Sequence, residues 1–467
     1  MPYLEQIAFI ILLAVTGFFA FRGYKRVYDN IQLGKDEDIT PDFAARFKNM
    51  TLVAFGQKKM FKRVIPAFLH LMLYVAFLVT QLELLEIIAD GVTGDHRALW
   101  KLLDGTAIAG LYNGIISTIE ILSVLALVAT VIFLIRRNAL YIPRLRKPEL
   151  KGWPHLDANL ILYGEIVLVV CIMLMNSADA ALQDIGVEKY VATPPFAVSS
   201  LLAPLWSGMS ESSLVALERV GWWGHIIMVF GFLVYLPYSK HLHILFAFPN
   251  TYFAKLTPNG EMDNMPDVMH EVKSMMGLVE GAEDMPMDEE IPEFGANDVF
   301  DLSWRDVLGA YACTHCGRCT AVCPANLTGK KLSPRKVVMN VRQRAEEIGE
   351  NIRANKTEYI REDRKETDTR LTKENYDDGK SLFDYITSEE LHACTTCNAC
   401  VEACPVLINP LDPILKMRRY EILTQSAGPA DWMPMFTSIE NSGSVWQIPD
   451  SRAKWTEQLA SEPESGE

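Results

Sequence analysis

Long apolar stretches dominate the first 245 residues of the chain, and a charged, polar sequence follows them. Five of the apolar runs have about the length that a helix needs to cross a bilayer. They lie at about residues 4–21, 64–89, 107–135, 157–177 and 215–238. The pattern therefore predicts a five-helix transmembrane domain over residues 1–245.

Basic residues are concentrated in alternate loops between these runs. Segments 22–63 and 136–156 hold ten and six Lys and Arg, whereas 90–106 and 178–214 hold two and one. Because basic loops stay in the cytoplasm, the amino terminus is expected outside and everything after about residue 240 inside. The first run has its basic residues after it, so it is predicted to be a retained helix and not a signal peptide. We expect a multi-pass protein in the inner (cytoplasmic) membrane of a bacterium or archaeon.

Eight of the nine cysteines form two copies of one motif: Cys313-x2-Cys316-x2-Cys319-x3-Cys323-Pro324 and Cys394-x2-Cys397-x2-Cys400-x3-Cys404-Pro405. In two-cluster ferredoxins, three closely spaced cysteines bind one [4Fe–4S] cluster and the fourth reaches the other cluster. Paired structural zinc sites are the alternative, but they leave the third cysteine and the Cys-Pro ending unexplained. The spacing therefore predicts two [4Fe–4S] clusters, one on Cys313, Cys316, Cys319 and Cys404, and one on Cys394, Cys397, Cys400 and Cys323.

The 71 positions from Cys323 to Cys394 exceed the spacing in small ferredoxins and are helix-prone, with Arg342–Lys380 expected as a solvated helix. This favours an all-α protein, in which a five-helix transmembrane bundle precedes an α-helical ferredoxin domain over residues 301–427. An acidic linker is expected at 246–300 and an extended tail at 428–467. The crowding of the cysteines, unlike a disulfide framework, indicates a reducing compartment.

The stretch from Ala312 to Arg342 contains Cys-Gly-Arg-Cys and then Asn-Leu-Thr-Gly-Lys-Lys-Leu-Ser-Pro. It resembles the iron–sulfur part of heterodisulfide reductase-like oxidoreductases. The resemblance implies a module that exchanges electrons with a cysteine-rich catalytic domain. No two cysteines are adjacent in this chain, so the Cys-Cys-Gly motifs of that domain are missing. A separate cytoplasmic redox protein, either such a cysteine-rich subunit or a flavoprotein, is therefore the expected partner.

An ionisable side chain within the bilayer costs free energy, so histidines in apolar runs indicate a functional role. His225 and His243 are 18 residues apart, which is five turns if both lie on the fifth helix, so one face would carry both. His70, near the start of the second run, is expected at a depth similar to that of His243. Two neutral imidazoles at matched depth can hold a haem iron from both sides. Lys62, Arg63 and Lys240 are near enough in sequence to offer charges to its propionates.

The segment Gly224–His243 resembles the last helix of the nitrate reductase gamma subunit, a five-helix cytochrome b. The resemblance implies that His70 and His243 bind one haem b and that His225 binds a second. Where the family places the partner of that second histidine, this chain has Thr80 and Gln81. One haem b is therefore expected, with two as the alternative.

Two acids in the second run suggest chemistry at the other membrane face. Glu83 and Glu86 come 13 and 16 residues after His70, or about 20–24 Å further across the bilayer, near the expected depth of His225. An acid and a histidine beside an apolar slot suit menaquinone or another quinone, whose redox chemistry needs proton exchange. The alternative is that both acids are solvated at the outer interface. His315, within the first cysteine motif, is expected at the surface.

These features predict an electron-transfer subunit of a quinone-linked oxidoreductase complex in the lipid bilayer. Electrons would pass between a cytoplasmic partner and quinone through the two clusters and haem b, with quinone reduction the favoured direction. A haem-free anchor that carries a ferredoxin-like domain within a larger complex is the alternative. The net charge of −14 argues against nucleic acid as a partner.

Overall fold

The structure is a computed structural model, and it describes residues 3–106, 109–278, 294–355, 359, 373–446 and 453–461. The first half contains α1 (Leu4–Ile31), α2 (Phe43–Met50), α3 (Val64–Thr93), α4 (Ala98–Leu103), α5 (Ala109–Asn138), α6 (Trp153–Asp184), α7 (Ser199–Leu202), α8 (Glu211–Tyr235) and α9 (His243–Tyr252). The second half contains α10 (Pro266–Met275), α11 (Trp304–Tyr311), α12 (Pro324–Leu327), α13 (Pro334–Ala354), α14 (Ser388–His392), α15 (Ala399–Ala403), α16 (Leu411–Arg419), α17 (Trp432–Ser442) and α18 (Lys454–Ser461). The described part has no β-strand, as the predicted all-α class requires.

Five of these helices are long and apolar enough to cross a membrane: α1, α3, α5, α6 and the stretch Glu211–Tyr238 that begins with α8. All five predicted runs are therefore confirmed as helices. Apolar side chains such as Phe19, Leu85 and Tyr163 point outwards, as a lipid-facing surface allows. Between α6 and α8 the backbones approach closely, because a Cβ at Gly221 would lie 2.6 Å from the backbone nitrogen of Met175.

The bundle has two ends that differ in what they carry. We call the end at which α1, α5 and α8 finish and α3 and α6 begin the module side, because the cysteine-containing domain packs there. The opposite end is called the distal side. Both basic loops, 22–63 and 136–156, lie on the module side.

The fifth helix does not run through to His243. It ends at Tyr235, and two 3₁₀ turns, Leu236–Tyr238 and Lys240–Leu242, separate it from α9, which begins at His243. Pro237 lies in the first turn and offers no backbone N–H to continue the helix. The interpretation of His225 and His243 as two positions on one continuous helix is therefore wrong.

A buried carboxylate on α6 holds this break in place. Asp157 accepts hydrogen bonds from the hydroxyl of Tyr235 (2.6 Å), the hydroxyl of Ser239 (2.7 Å) and the backbone N–H of Lys240 (3.1 Å). Two of these bonds pair side-chain hydroxyls, and the third pairs the first backbone N–H of the turn Lys240–Leu242, a donor that has no partner within the turn. The turn between α8 and α9 is thus fixed to the neighbouring helix, and so is the position of His243.

The cysteine-containing domain, which we call the cluster module, comprises the described residues from 294 to 427. Its apolar core continues into the bundle, because Val27, Ile31 and Leu33 and also Leu242 belong to the same contiguous cluster as the core of α11 and α13. The backbone of Lys35 adds two hydrogen bonds, one from its N–H to Leu302 (2.7 Å) and one to its carbonyl from Trp304 (2.9 Å). The module is therefore packed onto the bundle and shares its core.

In the described part of the polar stretch Arg342–Lys380, α13 continues to Ala354 and a 3₁₀ turn spans Lys373–Asn375. Two of its arginines are buried, which corrects the expectation of a solvated helix. Arg344 forms ion pairs with Asp298 (2.6 Å) and Asp378 (2.7 Å). Residues 356–358 and 360–372 of this stretch lie outside the described residues.

The linker and the tail also carry more helix than their composition suggested. Helix α10 lies within the predicted linker, whose acidic run Glu280–Glu293 is outside the described residues. Helices α17 and α18 correct the expectation of an extended tail. The first of them is anchored by Trp432, whose ring packs edge-on against His392 with 5.0 Å between ring centres.

Candidate redox site at the junction of bundle and cluster module

The two cysteine motifs form loops of matching backbone conformation. His315 and Gly317 in the first loop have φ of 56° and 70°, and Thr396 and Asn398 in the second have φ of 54° and 58°. Left-handed residues at these positions turn the chain sharply between successive cysteines. The repeated geometry shows that both loops have the same local shape, although their sequences between the cysteines differ.

Each loop has a cysteine from the other motif beside it. Cys404 of the second motif is close enough to Cys313 and Cys316 of the first loop for their thiolates to interact electrostatically. Cys323 of the first motif is likewise within electrostatic range of Cys394 and Cys400 in the second loop. This proximity is what the crossed assignment of the fourth cysteines requires, and the ligation itself stays a prediction. Among the described residues no three His, Cys, Asp or Glu converge on a position for a single metal ion.

Burial controls the protonation of these thiols. It raises the pKa of Cys313 to about 11 and the pKa values of Cys400 and Cys404 to about 12. Because the thiolate is the form that binds iron, each of these thiols must release a proton when iron is bound. Cys397 is exposed, in contrast to the buried Cys313, Cys323, Cys400 and Cys404. The second loop is therefore the one that reaches the protein surface.

A single guanidinium joins the first loop to the bundle. Arg335 on α13 is 0% exposed and donates hydrogen bonds to Glu149 (2.7 Å) and to the carbonyl oxygens of Arg144 (2.8 Å) and His315 (3.4 Å). Glu149 and Arg144 belong to the segment between α5 and α6, so the contact links the cluster module to the bundle. A Cβ at Gly317 would lie 2.4 Å from Nη1 of Arg335. The glycine of Cys-Gly-Arg-Cys is thus required for this approach.

The next residue of the motif makes a second contact with the bundle. Arg318 donates hydrogen bonds to the carbonyl oxygens of Lys59 (3.1 Å) and Met60 (3.3 Å), in the turn before α3. Lys62 in this turn forms an ion pair with Glu402 of α15. Lys62 therefore has a partner in the second cysteine motif, and its role at haem propionates stays a prediction.

His70 and His243 face each other on the module side of the bundle. Their ring centres are 6.4 Å apart. Nδ1 of His70 is 3.2 Å from the side-chain oxygen of Gln57, and Nδ1 of His243 is 3.1 Å from the carbonyl oxygen of Lys240. Each hydrogen bond orients a ring and leaves Nε2 free, as second partners of metal-bound histidines do. An iron ion about 2 Å from each Nε2 would separate the ring centres by about 6 Å, so the pair fits axial ligation of a haem.

The histidines at and beside the His70–His243 pair are neutral. The His241 ring lies 5.9 Å from the ring of His243, and its Nε2 is 3.7 Å from Glu165. Burial lowers the pKa of His241 to about 3 and also lowers the pKa of His243. Burial likewise lowers the pKa of the Lys240 ammonium to about 8. His243 is therefore in the neutral form that a metal-bound imidazole requires.

His225 has no comparable partner. Its side chain is buried on α8, and its Nδ1 makes no hydrogen bond among the described residues. The side chains of Thr80 and Gln81, which stand where the resemblance places a second ligand, both donate to the carbonyl oxygen of Phe77 on their own helix. Side chains bonded to their own helix thus stand where the second ligand was expected, and the number of haems stays a prediction.

Glu83 and Glu86 lie in a cleft on the distal side, far along α3 from His70. They are 3% and 2% exposed, so the alternative that they are simply solvated is wrong. We call this cavity the distal cleft. It is lined by Glu83, Glu86, His96, Arg97, Asp179 and Trp222, among others.

One arginine organises the charges of the distal cleft. Arg97 donates to Asp179 (2.9 Å) and to the side-chain oxygen of Asn176 (3.0 Å), and it lies 3.6 Å from Glu86. The amide nitrogen of Asn176 donates in turn to Glu83 (3.1 Å). The predicted acids therefore belong to a connected network of buried hydrogen bonds, which can hold or pass a proton.

Comparison with known proteins bears on the cysteine-containing part most directly. Residues 312–408 match the family described as the 4Fe-4S dicluster domain. This supports the prediction of iron–sulfur clusters bound by the two motifs. No solved structure matches the chain.

Two relatives that match most of the chain are named as oxidoreductases, and a third that matches a shorter part is named as a ferredoxin. The probable iron-sulfur-binding oxidoreductase FadF of Bacillus subtilis is 27% identical over 431 residues, which cover 90% of this chain and 56% of the relative. The EtfAB:quinone oxidoreductase of Syntrophomonas wolfei is 26% identical over 465 residues, covering 98% of this chain and 60% of the relative. A probable membrane-anchored ferredoxin of Chromohalobacter salexigens is 31% identical over 190 residues, covering 39% of this chain and 27% of the relative.

This chain thus spans less than two thirds of the length of the curated relatives that it matches. The relationship and the five apolar helices support a membrane-anchored iron–sulfur protein related to oxidoreductases. The resemblances to heterodisulfide reductase and to the nitrate reductase gamma subunit stay predictions, as do the haem and the quinone.

The contact between Gly317 and Arg335 can be tested with an alanine. We expect Gly317→Ala to destabilise the protein by about 1–3 kcal/mol, because the new Cβ meets Nη1 of Arg335 and φ stays left-handed. The measurement is the midpoint of thermal unfolding, followed by the loss of visible cluster absorbance in detergent.

Gly329→Ala is the matched control, because Gly329 has φ of 89° and no atom within 4 Å of the added Cβ. It should show only the smaller cost of the left-handed backbone. Equal midpoints for the two variants would contradict a specific role for the Arg335 contact.

Proposed function

We propose that the chain is a membrane-bound electron-transfer subunit that connects a redox partner with the quinone pool through two [4Fe–4S] clusters and one haem b. The main support is the position of the first cysteine loop against the pair His70 and His243. Arg318 of that loop binds the turn before α3, which carries His70. Lys240, whose carbonyl orients His243, lies within electrostatic range of Cys313.

The exposure of the cysteines suggests the order of the clusters. The cluster on Cys394, Cys397, Cys400 and Cys323 reaches the surface at Cys397. The cluster on Cys313, Cys316, Cys319 and Cys404 lies at the junction with the bundle. A partner would therefore exchange electrons with the second-motif cluster, and the first-motif cluster would serve the haem.

The partner is proposed to be a cysteine-rich heterodisulfide reductase-like subunit or a flavoprotein. The name of the Syntrophomonas relative joins EtfAB with a quinone, which favours electron flow towards quinone. The module side is proposed to face the cytoplasm, because both basic loops lie there and basic loops are retained on that side. This orientation gives a cytoplasmic partner access to Cys397.

His70 and His243 would hold the haem iron through Nε2, with Gln57 and the Lys240 carbonyl keeping the rings in position. A bound haem supplies one-electron oxidation and reduction at the junction. The chain itself contributes the orientation of the two imidazoles, their neutral state and the exclusion of water by burial.

The distal cleft is the proposed quinone site. Trp222 and Ile87 give it an apolar part, while Glu83 and Glu86 give it groups that can exchange protons. Menaquinone or another quinone would suit this combination.

Crossed ligation predicts which cysteine substitutions are equivalent. Cys316→Ser and Cys404→Ser should remove or alter the same cluster, and Cys397→Ser and Cys323→Ser should affect the other. The EPR spectra of the dithionite-reduced variants measure this, each compared with the unmodified protein. If Cys404→Ser instead matched Cys397→Ser, each motif would bind its own cluster and the crossed assignment would fail.

Haem binding predicts a loss specific to two histidines. His70→Ala and His243→Ala should each abolish the sharp alpha band of the reduced protein, because the alanine side chain has no nitrogen that could bind the haem iron. His225→Ala should keep that band, and so should His270→Ala, which changes an exposed histidine on α10. The band would be recorded in reduced-minus-oxidised spectra. An unmodified protein with clusters but without the band would favour the haem-free anchor.

If quinone binds in the distal cleft, a substitution of Glu86 should slow the reduction of the haem by quinol. Glu86→Gln removes a carboxylate that can exchange protons but keeps its shape, so haem reduction by added quinol should fall by about 10²-fold or more. Stopped-flow absorbance of the haem band measures the rate, and the haem content serves as the internal reference. Glu188→Gln, outside the cleft, should leave the rate unchanged. Full activity in Glu86→Gln would move the quinone site elsewhere.

A further inference from the structure

His315 occupies an unusual position for a residue expected at the surface. It is only partly exposed as a whole, and both of its ring nitrogens are buried without a hydrogen-bond partner among the described residues. An imidazole always carries at least one N–H donor, and a buried donor without an acceptor costs free energy. The expectation that His315 is a surface residue is therefore wrong, and its ring needs a partner that the described residues do not supply.

The surroundings of the His315 ring are cationic. Four positively charged side chains are within electrostatic range of the ring. They are Lys240 in the turn between α8 and α9, Arg335 and Arg342 on α13, and Arg137 at the end of α5. Nε of Arg137 and Nε of Arg335 are also buried without a partner. Positive side chains from separate elements are thus within electrostatic range of an imidazole that has no acceptor among the described residues, and such surroundings favour a bound anion.

Several of these cations already have carboxylate partners, and the His315 ring has none. Arg335 pairs with Glu149 at 2.7 Å, and Arg342 pairs with Glu346 at 3.0 Å. The remaining donor capacity therefore lies at the His315 ring and at the two unpaired guanidinium nitrogens. A carboxylate that accepts from the His315 ring would not need to displace either of these ion pairs.

Lys240 connects this position with the histidine pair. Its carbonyl oxygen accepts the hydrogen bond from Nδ1 of His243. Its ammonium has the strongest electrostatic interaction with His315 among the surrounding charges. The His315 ring, on the first cysteine loop, is therefore within electrostatic range of the turn that orients His243. A haem b carries two propionate carboxylates at one edge of its ring, and these are anions of the required kind.

The second cysteine loop shows that the backbone does not require a histidine here. Thr396 stands one residue before Cys397, as His315 stands one residue before Cys316, and their φ angles are 54° and 56°. The left-handed turn therefore forms with either side chain. The imidazole of the first loop needs an explanation beyond the shape of the loop.

We infer that His315 donates a hydrogen bond to a propionate carboxylate of the haem held by His70 and His243. The inference rests on the proposed function, since it needs that haem. It makes His315 a positioning residue, which joins the loop of the first-motif cluster to the edge of the haem. The propionate would then lie directly between the two redox groups.

The test replaces His315 with the residue of the other loop. His315→Thr should keep both clusters and the haem, but the resonance Raman band of the propionate bending vibration should shift. The midpoint potential of the haem should fall, because a donor that offsets negative charge near the iron has been removed. Haem affinity, measured by titrating the apoprotein with hemin, should weaken by about tenfold, which is the size of one charge-assisted hydrogen bond.

Two further variants make the result specific. His315→Gln keeps an N–H donor on a side chain of similar reach and should restore much of the Raman band and the potential. His270→Thr changes an exposed histidine and should match the unmodified protein. The EPR signals of both clusters, recorded on every variant, establish that the loop is intact.

The outcomes separate this inference from the proposed function. If His315→Thr altered the EPR of the first-motif cluster but left the propionate band and the haem potential unchanged, His315 would serve the cluster and the inference would be overturned. No change in any of these signals would overturn it as well. An unmodified protein without haem would instead refute the haem of the proposed function, before any variant is compared.

Discussion

The burial of one positive charge, that of Arg335, constrains the whole junction. A guanidinium removed from water is stable only where acceptors surround it. Here the acceptors are Glu149, the carbonyl of Arg144 and the carbonyl of His315, which come from the bundle and from the first cysteine loop. None of these segments can satisfy the charge alone. The correct position of the loop is therefore coupled to the correct assembly of the bundle and the module.

A second constraint acts on the membrane side of the same junction. The break at Pro237 takes the chain out of α8 and lets His243 begin a new helix opposite His70. Asp157 secures the break through three hydrogen bonds, and Lys240 within it orients His243. Had α8 continued straight, His243 would have been placed by the helix axis alone. The geometry of the pair thus depends on a local irregularity that its own sequence specifies through a proline.

Local patterns predicted the larger part of this architecture. The five apolar runs, the two cysteine motifs and the facing of His70 and His243 depend on composition, spacing and depth, which are readable along the chain. The buried cations were missed. Arg335 and Arg344 lie on a helix with a polar sequence, and their acceptors are remote in sequence, so no periodicity reveals their burial. Gln57 and His315 were missed for the same reason, because their roles depend on contacts between distant segments.

The shared core has a consequence for how the protein assembles. Leu33 packs in the core of the module, yet the first residue of that core within the module, Ala296, is made 263 residues later. Contacts over so long a separation form late, since the loop must close before they contribute. During synthesis the apolar side chains at the end of α1 therefore cannot pack against the module until the module has left the ribosome. The junction between bundle and module is consequently completed only after the whole of the bundle has been synthesised.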